Sequence, residues 1–354
     1  MTSMTSMKCL LSIPVLAVAL AAGCGESTAP AATEPSAFVP AVNSLNASFS
    51  QNAVFRSLVA LDGNVVFSAP AVPASADEPG ALRAVVAAKR TLALVQRLGD
   101  QAPTAVAALF PVNVLGKTFV WDGASGRYRI LDSTTTGAPS AGTRFVLYQV
   151  DTATGRPRLP LTTTGNVDLT DVSNALANAL AIGVHVGNQT AADYTIANVR
   201  TTTTDTLRAA GYVVDVVAGG LPVTFNLAHA LSVIDSSLVT RYLASSNGAA
   251  VTMNTTLTGA TNNQSLTLDW LLQKGGSVQV VGTATTAATN VQFKINGNPW
   301  ATATVVAGGA STITGANGRA LTPAELVALG AILEGFFSIY EQLSTVFAPA
   351  ALVF

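Results

Sequence analysis

Two histidines and two cysteines are all that this chain of 354 residues offers for transition-metal or thiol chemistry, and their placement argues against both. His185 falls on the strand parity opposite Ile182, Val184 and Val186, which predicts a solvated imidazole. His229 shares parity with Phe225, Leu227 and Leu231, which predicts a buried ring held by hydrogen-bond partners in preference to a catalytic base. Cys9 and Cys24 both lie in the first segment, so the rest of the chain has no thiol for a disulfide, a nucleophile or a zinc site. Gly123-Ala124-Ser125-Gly126 lacks the spacing of a nucleophile elbow, and the chain has neither a phosphate loop nor a dinucleotide fingerprint. Asp168 and Asp171 are expected to bound a turn, which leaves oxygen-ligated calcium without support. The expectation is a chain with no catalytic residue, metal or cofactor. Glycosidase carboxylates have no linear signature, so an envelope hydrolase stays open as a third reading with no residue assigned to it.

The leader is more informative. Lys8 precedes an apolar run from Cys9 to Ala22, too short to span a bilayer stably but suited to a signal-peptide core. The run closes with Leu20-Ala21-Ala22-Gly23-Cys24, which resembles the lipobox of bacterial lipoproteins, with Ala21 where leucine is most frequent. That resemblance implies cleavage after Gly23 and a diacylglycerol thioether on Cys24, which becomes the acylated N-terminus. Gly25 in place of aspartate implies sorting to an outer membrane. Several acyl chains would make attachment effectively stable, since each buried methylene adds about 0.8 kcal/mol. The repeated Met-Thr-Ser at the start makes Met7 a second candidate initiator. The expected division is a signal peptide over 1–23, a lipidated tether over 24–40 rich in Ala, Pro and Thr, helices over 41–112, a sheet over 113–316 and a closing helix over 317–354, with 41–354 as one domain.

Composition fits a globular or envelope-associated chain and not a disordered one: 49% hydrophobic, 10% charged and 6% aromatic, with a formal net charge of −1. A nucleic-acid surface needs a cationic excess that is absent. The low aromatic content and a C-terminus preceded by a helix and Pro349 argue against an outer-membrane barrel.

The predicted fold is α+β, mainly β: a large curled antiparallel meander of ten or more strands, with helices at both ends and the last packed on the apolar face. Alternation supports strands at Val223 to Ile234, with Val223, Phe225, Leu227, Leu231 and Val233 inward, and likewise at Ala250 to Leu257 and Leu266 to Gln273. Further strands are expected at Lys117 to Trp121, Tyr128 to Leu131, Arg144 to Val150 returning to Leu159, Ala179 to Val186, Tyr194 to Thr201, Leu207 to Val217, Leu238 to Leu243, Val278 to Thr285, Val291 to Ile295 and Thr302 to Val306. Asn247-Gly248, Asn262-Asn263, Gly275-Gly276 and Asn296-Gly297 are turn signals. Two turns share Asp-x-x-(Ser/Thr)-Gly-Arg, at Asp122 and Asp151, with the aspartate bonding backbone N–H groups and glycine left-handed. The blocks Thr136 to Tyr148 and Asn166 to Leu169 are similar to segments of β-rich envelope lipoproteins, a likeness that carries no activity.

Helices are expected from Asn43 through Val59, from Pro79 to Leu98 with Gly99 as its cap, and briefly around Ala102 to Leu109. The closing helix begins with the capping box Thr322-Pro323-Ala324-Glu325 and repeats Leu326, Leu329, Leu333, Phe336, Tyr340, Leu343 and Phe347 at alternating spacings of three and four. Glu334, Ser338, Glu341 and Thr345 lie on its other side.

Two non-enzymatic readings follow. In the first, sheet and helix enclose a cavity for a lipid or other apolar small molecule, lined by Phe225, Leu227, His229, Trp270, Phe336 and Tyr340. In the second, the helices fill that face and the protein is a structural or surface-interaction lipoprotein. An internal apolar cavity of several hundred Å³ separates them, with partners otherwise limited to the membrane through Cys24.

Overall fold

Strands dominate because apolar residues alternate with Thr, Ser and Asn between tight turns. The computed structural model describes residues 34–61, 80–100, 109–130, 137–151, 154–259, 264–306 and 312–352. Cys9, Cys24, the leader, the Pro70–Asp77 loop, nearly all of the expected turn at 102–109 and the Asn262-Asn263 turn lie outside the described residues.

The strands are β1 (Lys117–Asp122), β2 (Arg127–Ile130), β3 (Gly142–Tyr148), β4 (Thr163–Asp171), β5 (Asn178–Val186), β6 (Gln189–Arg200), β7 (Thr204–Val213), β8 (Val223–Ser232), β9 (Leu238–Ser246), β10 (Ala249–Thr258), β11 (Ser265–Gln273), β12 (Ser277–Ala284), β13 (Ala288–Ile295), β14 (Asn298–Val306) and β15 (Thr312–Gly315). They form one open sheet in which each strand from β4 to β15 lies beside its predecessor, an antiparallel meander. At the other end β1 pairs parallel to β3 and carries β2 at the edge, so the sheet is mixed there and not wholly antiparallel. The chain passes from β2 back beyond β1 before entering β3, which is why that one pair runs parallel.

The turn chemistry holds where it is described. Asn247 and Gly248 take φ of 50° and 70°, and Asn296 and Gly297 take 49° and 81°. Two successive positive φ values make the type I′ turn whose twist matches the flanking strands. In both Asp turns the glycine is left-handed, at 63° for Gly126 and 66° for Gly155. Asp122 Oδ1 accepts from Ala124 N at 3.0 Å, and Asp151 Oδ1 from Thr154 N at 3.2 Å.

Several expectations are corrected. The return limb to Leu159 is not a strand: Val150 and Pro157 form an isolated bridge, and β3 pairs with β4, since Pro157 and Pro160 cannot donate to a ladder. The expected set lacked β4, whose inward run is only Val167 and Leu169, and the four-residue β15. Asp168 lies inside β4, where Arg144 Nε and Nη2 donate to its carboxylate at 2.6 and 2.7 Å, and does not bound a turn. Asp171 does close the strand, accepting from Ser173 N at 2.9 Å. β7 stops at Val213 because Asp215 Oδ1 takes the N–H groups of Val217 and Ala218, and Val217 is exposed. Val233 falls past the end of β8 and is half exposed.

The helices are α1 (Val39–Ser50), α2 (Ala53–Val59), α3 (Gly80–Asp100) and α4 (Pro323–Thr345). The expected tether to residue 40 is too long: Pro35–Ala37 is a 3-10 turn and Phe38 is fully buried, so the chain joins the body before α1. The single expected helix from Asn43 divides at Asn52, whose Oδ1 accepts from Val54 N and Phe55 N at 3.1 and 3.0 Å and starts α2. Gly99 lies within α3 and is not its cap.

α4 starts as predicted, with Thr322 N donating to Glu325 Oε2 at 2.8 Å and Glu325 N to Thr322 Oγ1 at 3.2 Å. It runs across the strands. Phe336 meets Trp270 of β11, and the chain just past its end reaches β6, where Tyr194 Oη donates to Val346 O at 3.2 Å. Five strand spacings cover about 24 Å, whereas ten helical residues rise only about 15 Å. The strands therefore converge on the helix, and the sheet is concave toward it. α1 and α3 both pack against α4, and α3 also reaches β7, β8 and β12. This cover widens the buried stripe beyond the predicted heptad to include Ile332, Gly335, Phe337 and Ile339, and leaves Leu326 at the margin. On the expected polar side, Ser338 Oγ donates to Asn46 Oδ1 of α1 at 2.7 Å.

Gly335 sets the distance between α1 and α4, because a Cβ there would overlap Val42 Cγ1. Gly335→Ala should destabilise the fold by about 1–3 kcal/mol through overpacking, although alanine in an open helix would stabilise by up to about 1 kcal/mol. Adding Val42→Ala should recover much of the loss. Denaturant unfolding of the single and double variants measures both.

Candidate functional site

The site expected from sequence is the concave face beneath α4, and its register explains which residues meet. Across the sheet, Leu227, Tyr242, Met253, Trp270, Val280, Phe293 and Ala301 oppose one another in one inward row, every one of them buried. The adjacent inward row runs His229, Thr240, Thr255 and Leu268. The first row is apolar apart from the Tyr242 hydroxyl and the Trp270 indole. The second places three polar side chains, each at most 2% exposed, in the middle of the core.

These groups satisfy one another. His229 Nδ1 lies 2.9 Å from Thr240 Oγ1, and its Nε2 lies 2.9 Å from Tyr242 Oη. A neutral imidazole donates from one nitrogen and accepts at the other, so one hydroxyl gives a proton to the ring and the other receives one. Thr255 Oγ1 lies 3.4 Å from Tyr340 Oη. Burial pushes the His229 pKa down to about 3, so the ring is neutral at ordinary pH. Burial raises the Tyr242 and Tyr340 hydroxyls, with the neighbouring Tyr340 adding to the shift at Tyr242.

Rings fill the space between helix and sheet. Trp270 stacks on Tyr340 at 5.5 Å and meets Phe337 edge-on at 5.1 Å. Tyr242 lies 5.3 Å from Tyr340, and Phe347 lies 4.6 Å from His229. Of the six residues expected to line a cavity, His229, Trp270, Phe336 and Tyr340 thus join one aromatic cluster, and Leu227 opposes Tyr242 within it. Phe225 stands to one side, edge-on to Tyr194 at 5.5 Å. Sequence reasoning missed Thr240, Tyr242, Thr255 and Phe337, and placed Phe347 on the apolar stripe of the helix without assigning it to the site. The available signal was inward parity of a threonine in each of β9 and β10, but only register shows that both face the histidine row. One donor is unsatisfied: the Trp270 indole N–H is buried without an acceptor.

His185 is partly exposed on the outer face, its Nε2 3.9 Å from Asp168 Oδ2, whose carboxylate already receives both Arg144 bonds. Among the described residues no group of three or more His, Cys, Asp or Glu gathers into a set able to hold a metal. A second concavity of about 410 Å³ opens at the surface beside α2, lined by Ala53, Arg56, Gln149, Val150, Asp151 and Arg158, none of them expected from sequence.

The buried histidine gives a signed pH dependence. Its folded pKa lies below the ordinary value of 6.5, so the unfolded chain binds the extra proton first on acidification. Its contribution is complete above about pH 6.5 and is lost as pH falls toward about 3. His229→Gln should cost about 1–3 kcal/mol at pH 7, by disturbing the hydroxyl partners, and should flatten the fall in stability between pH 6.5 and pH 4. Denaturant midpoints of both proteins across that range test it, and an unchanged slope would overturn it.

No family model, curated protein or solved structure matches the chain.

Proposed function

We propose that this chain is a lipid-anchored protein of the bacterial outer membrane, acylated at Cys24, whose body is a structural or interaction platform with a filled core. The leader Leu20 to Cys24 supports the anchor. The observation that carries the second half is α4 seated across the concave face, with Trp270, Tyr242, Phe336, Tyr340 and Phe347 in ring-to-ring contact where an apolar ligand would have to lie. The Pro323–Leu352 stretch is apolar enough to cross a membrane, but 56% of its most apolar window is buried in the fold. It is read as a core helix. One observation favours internal binding of an apolar molecule bearing an acceptor, namely the unpartnered Trp270 N–H.

Cys24→Ser should abolish incorporation of labelled palmitate in a bacterial host and shift the protein from the membrane to the soluble fraction. Persistent labelling would refute the anchor. Native mass spectrometry of the Cys24→Ser chain should show the bare polypeptide mass. A co-purifying lipid released by organic extraction would instead favour the internal-ligand reading.

A further inference from the structure

We infer that the surface cleft beside α2 binds a small oxyanion, a phosphate or carboxylate on a compact polar body, through Arg56 and Arg158. The cleft holds about 410 Å³, within the range of small-molecule sites. Its two guanidinium groups come from different elements, Arg56 from the last turn of α2 and Arg158 from the connection between β3 and β4. Both elements are fixed. Ser57 Oγ, next to Arg56, donates to Tyr148 O at 2.8 Å and accepts from Thr164 Oγ1 at 3.3 Å, pinning α2 to β3 and β4. Arg158 N donates to Gln149 O at 2.7 Å, and Asp151 N to Arg156 O at 2.9 Å, bracing the opposing limbs of the connection.

Neither arginine forms an ion pair within the described residues, whereas Arg129, Arg144, Arg200 and Arg319 each do. Asp151, the acid of the cleft, is itself engaged by the Thr154 N–H. The connection between β3 and β4 itself carries Arg156 and Arg158 against the single acid Asp151, a local cationic excess in a chain whose formal net charge is −1. A planar guanidinium presents paired donors matched to carboxylate and phosphate oxygens. Gln149 adds an amide able to donate or accept, which suits a hydroxylated or amidic body and disfavours an alkyl one.

Isothermal titration of the Cys24→Ser chain with glycerol 3-phosphate and with succinate, at constant ionic strength, tests the site. Binding of at least one probe in the millimolar range or tighter is expected. Arg56→Gln and Arg158→Gln should each weaken it about tenfold or more, as loss of one charge-assisted contact implies. Arg127→Gln, outside the cleft, should leave it unchanged. Vesicles of phosphatidylglycerol against phosphatidylcholine identify the source. Retention on the anionic vesicles that is lost in the double arginine variant assigns a lipid headgroup, and soluble-probe binding without retention assigns a free ester or acid. No binding of either probe or vesicle, or binding equal in all variants, overturns the proposal. The three substituted arginines are exposed, so circular dichroism should report unchanged folding.

Discussion

Everything in this molecule depends on one apolar contact, that of α4 laid across the concave face of an open sheet. A single sheet with one oily face cannot persist in water, and fifteen strands without closure leave that face long. Each large side chain sealed between helix and sheet contributes about 1.5–3 kcal/mol of burial, and Trp270, Tyr242, Tyr340, Phe336 and Phe347 are all enclosed there. α1 and α3 pack against α4 as well, which converts an amphipathic helix into a core helix. Curvature of the sheet is the geometric counterpart of that contact.

The core is not purely apolar. His229, Thr240 and Tyr242 form a closed set of hydrogen bonds inside it, and such a set is worthless unless every member meets its partner. A slip of β9 against β8 by two residues would preserve the inward parity of both strands yet strand the imidazole. We therefore regard the trio as a register lock, a hypothesis that the stability of His229 variants addresses.

The outer face answers the same constraint with hydroxyls. Thr256, Thr267, Thr283, Asn290, Thr304 and Thr312 oppose one another in a single outward row, and Thr304 Oγ1 donates to Asn290 Oδ1 at 3.0 Å. This surface explains how a chain with only 10% charged residues can carry a solvated sheet. Among the described residues both edge strands are short, four residues in β2 and four in β15, and a short edge limits pairing with other chains.

Sequence alone determined what is local. Alternation placed β8, β10 and β11, Asn-Gly pairs marked the β9–β10 and β13–β14 turns and Asp122 the β1–β2 turn, and Thr322 to Glu325 marked the start of α4, because these signals act over a few residues. It misplaced Asp168 and the limb after Val150, where a plausible turn was followed by prolines and the true partner strand lay beyond them. Only tertiary structure decided the parallel β1–β3 pair, the meeting of His229 with Thr240 and Tyr242, and the approach of Arg56 to Arg158. Those arrangements join residues from 11 to about 100 positions apart, and their geometry depends on register and on which helix covers which row, quantities that no short window of sequence contains.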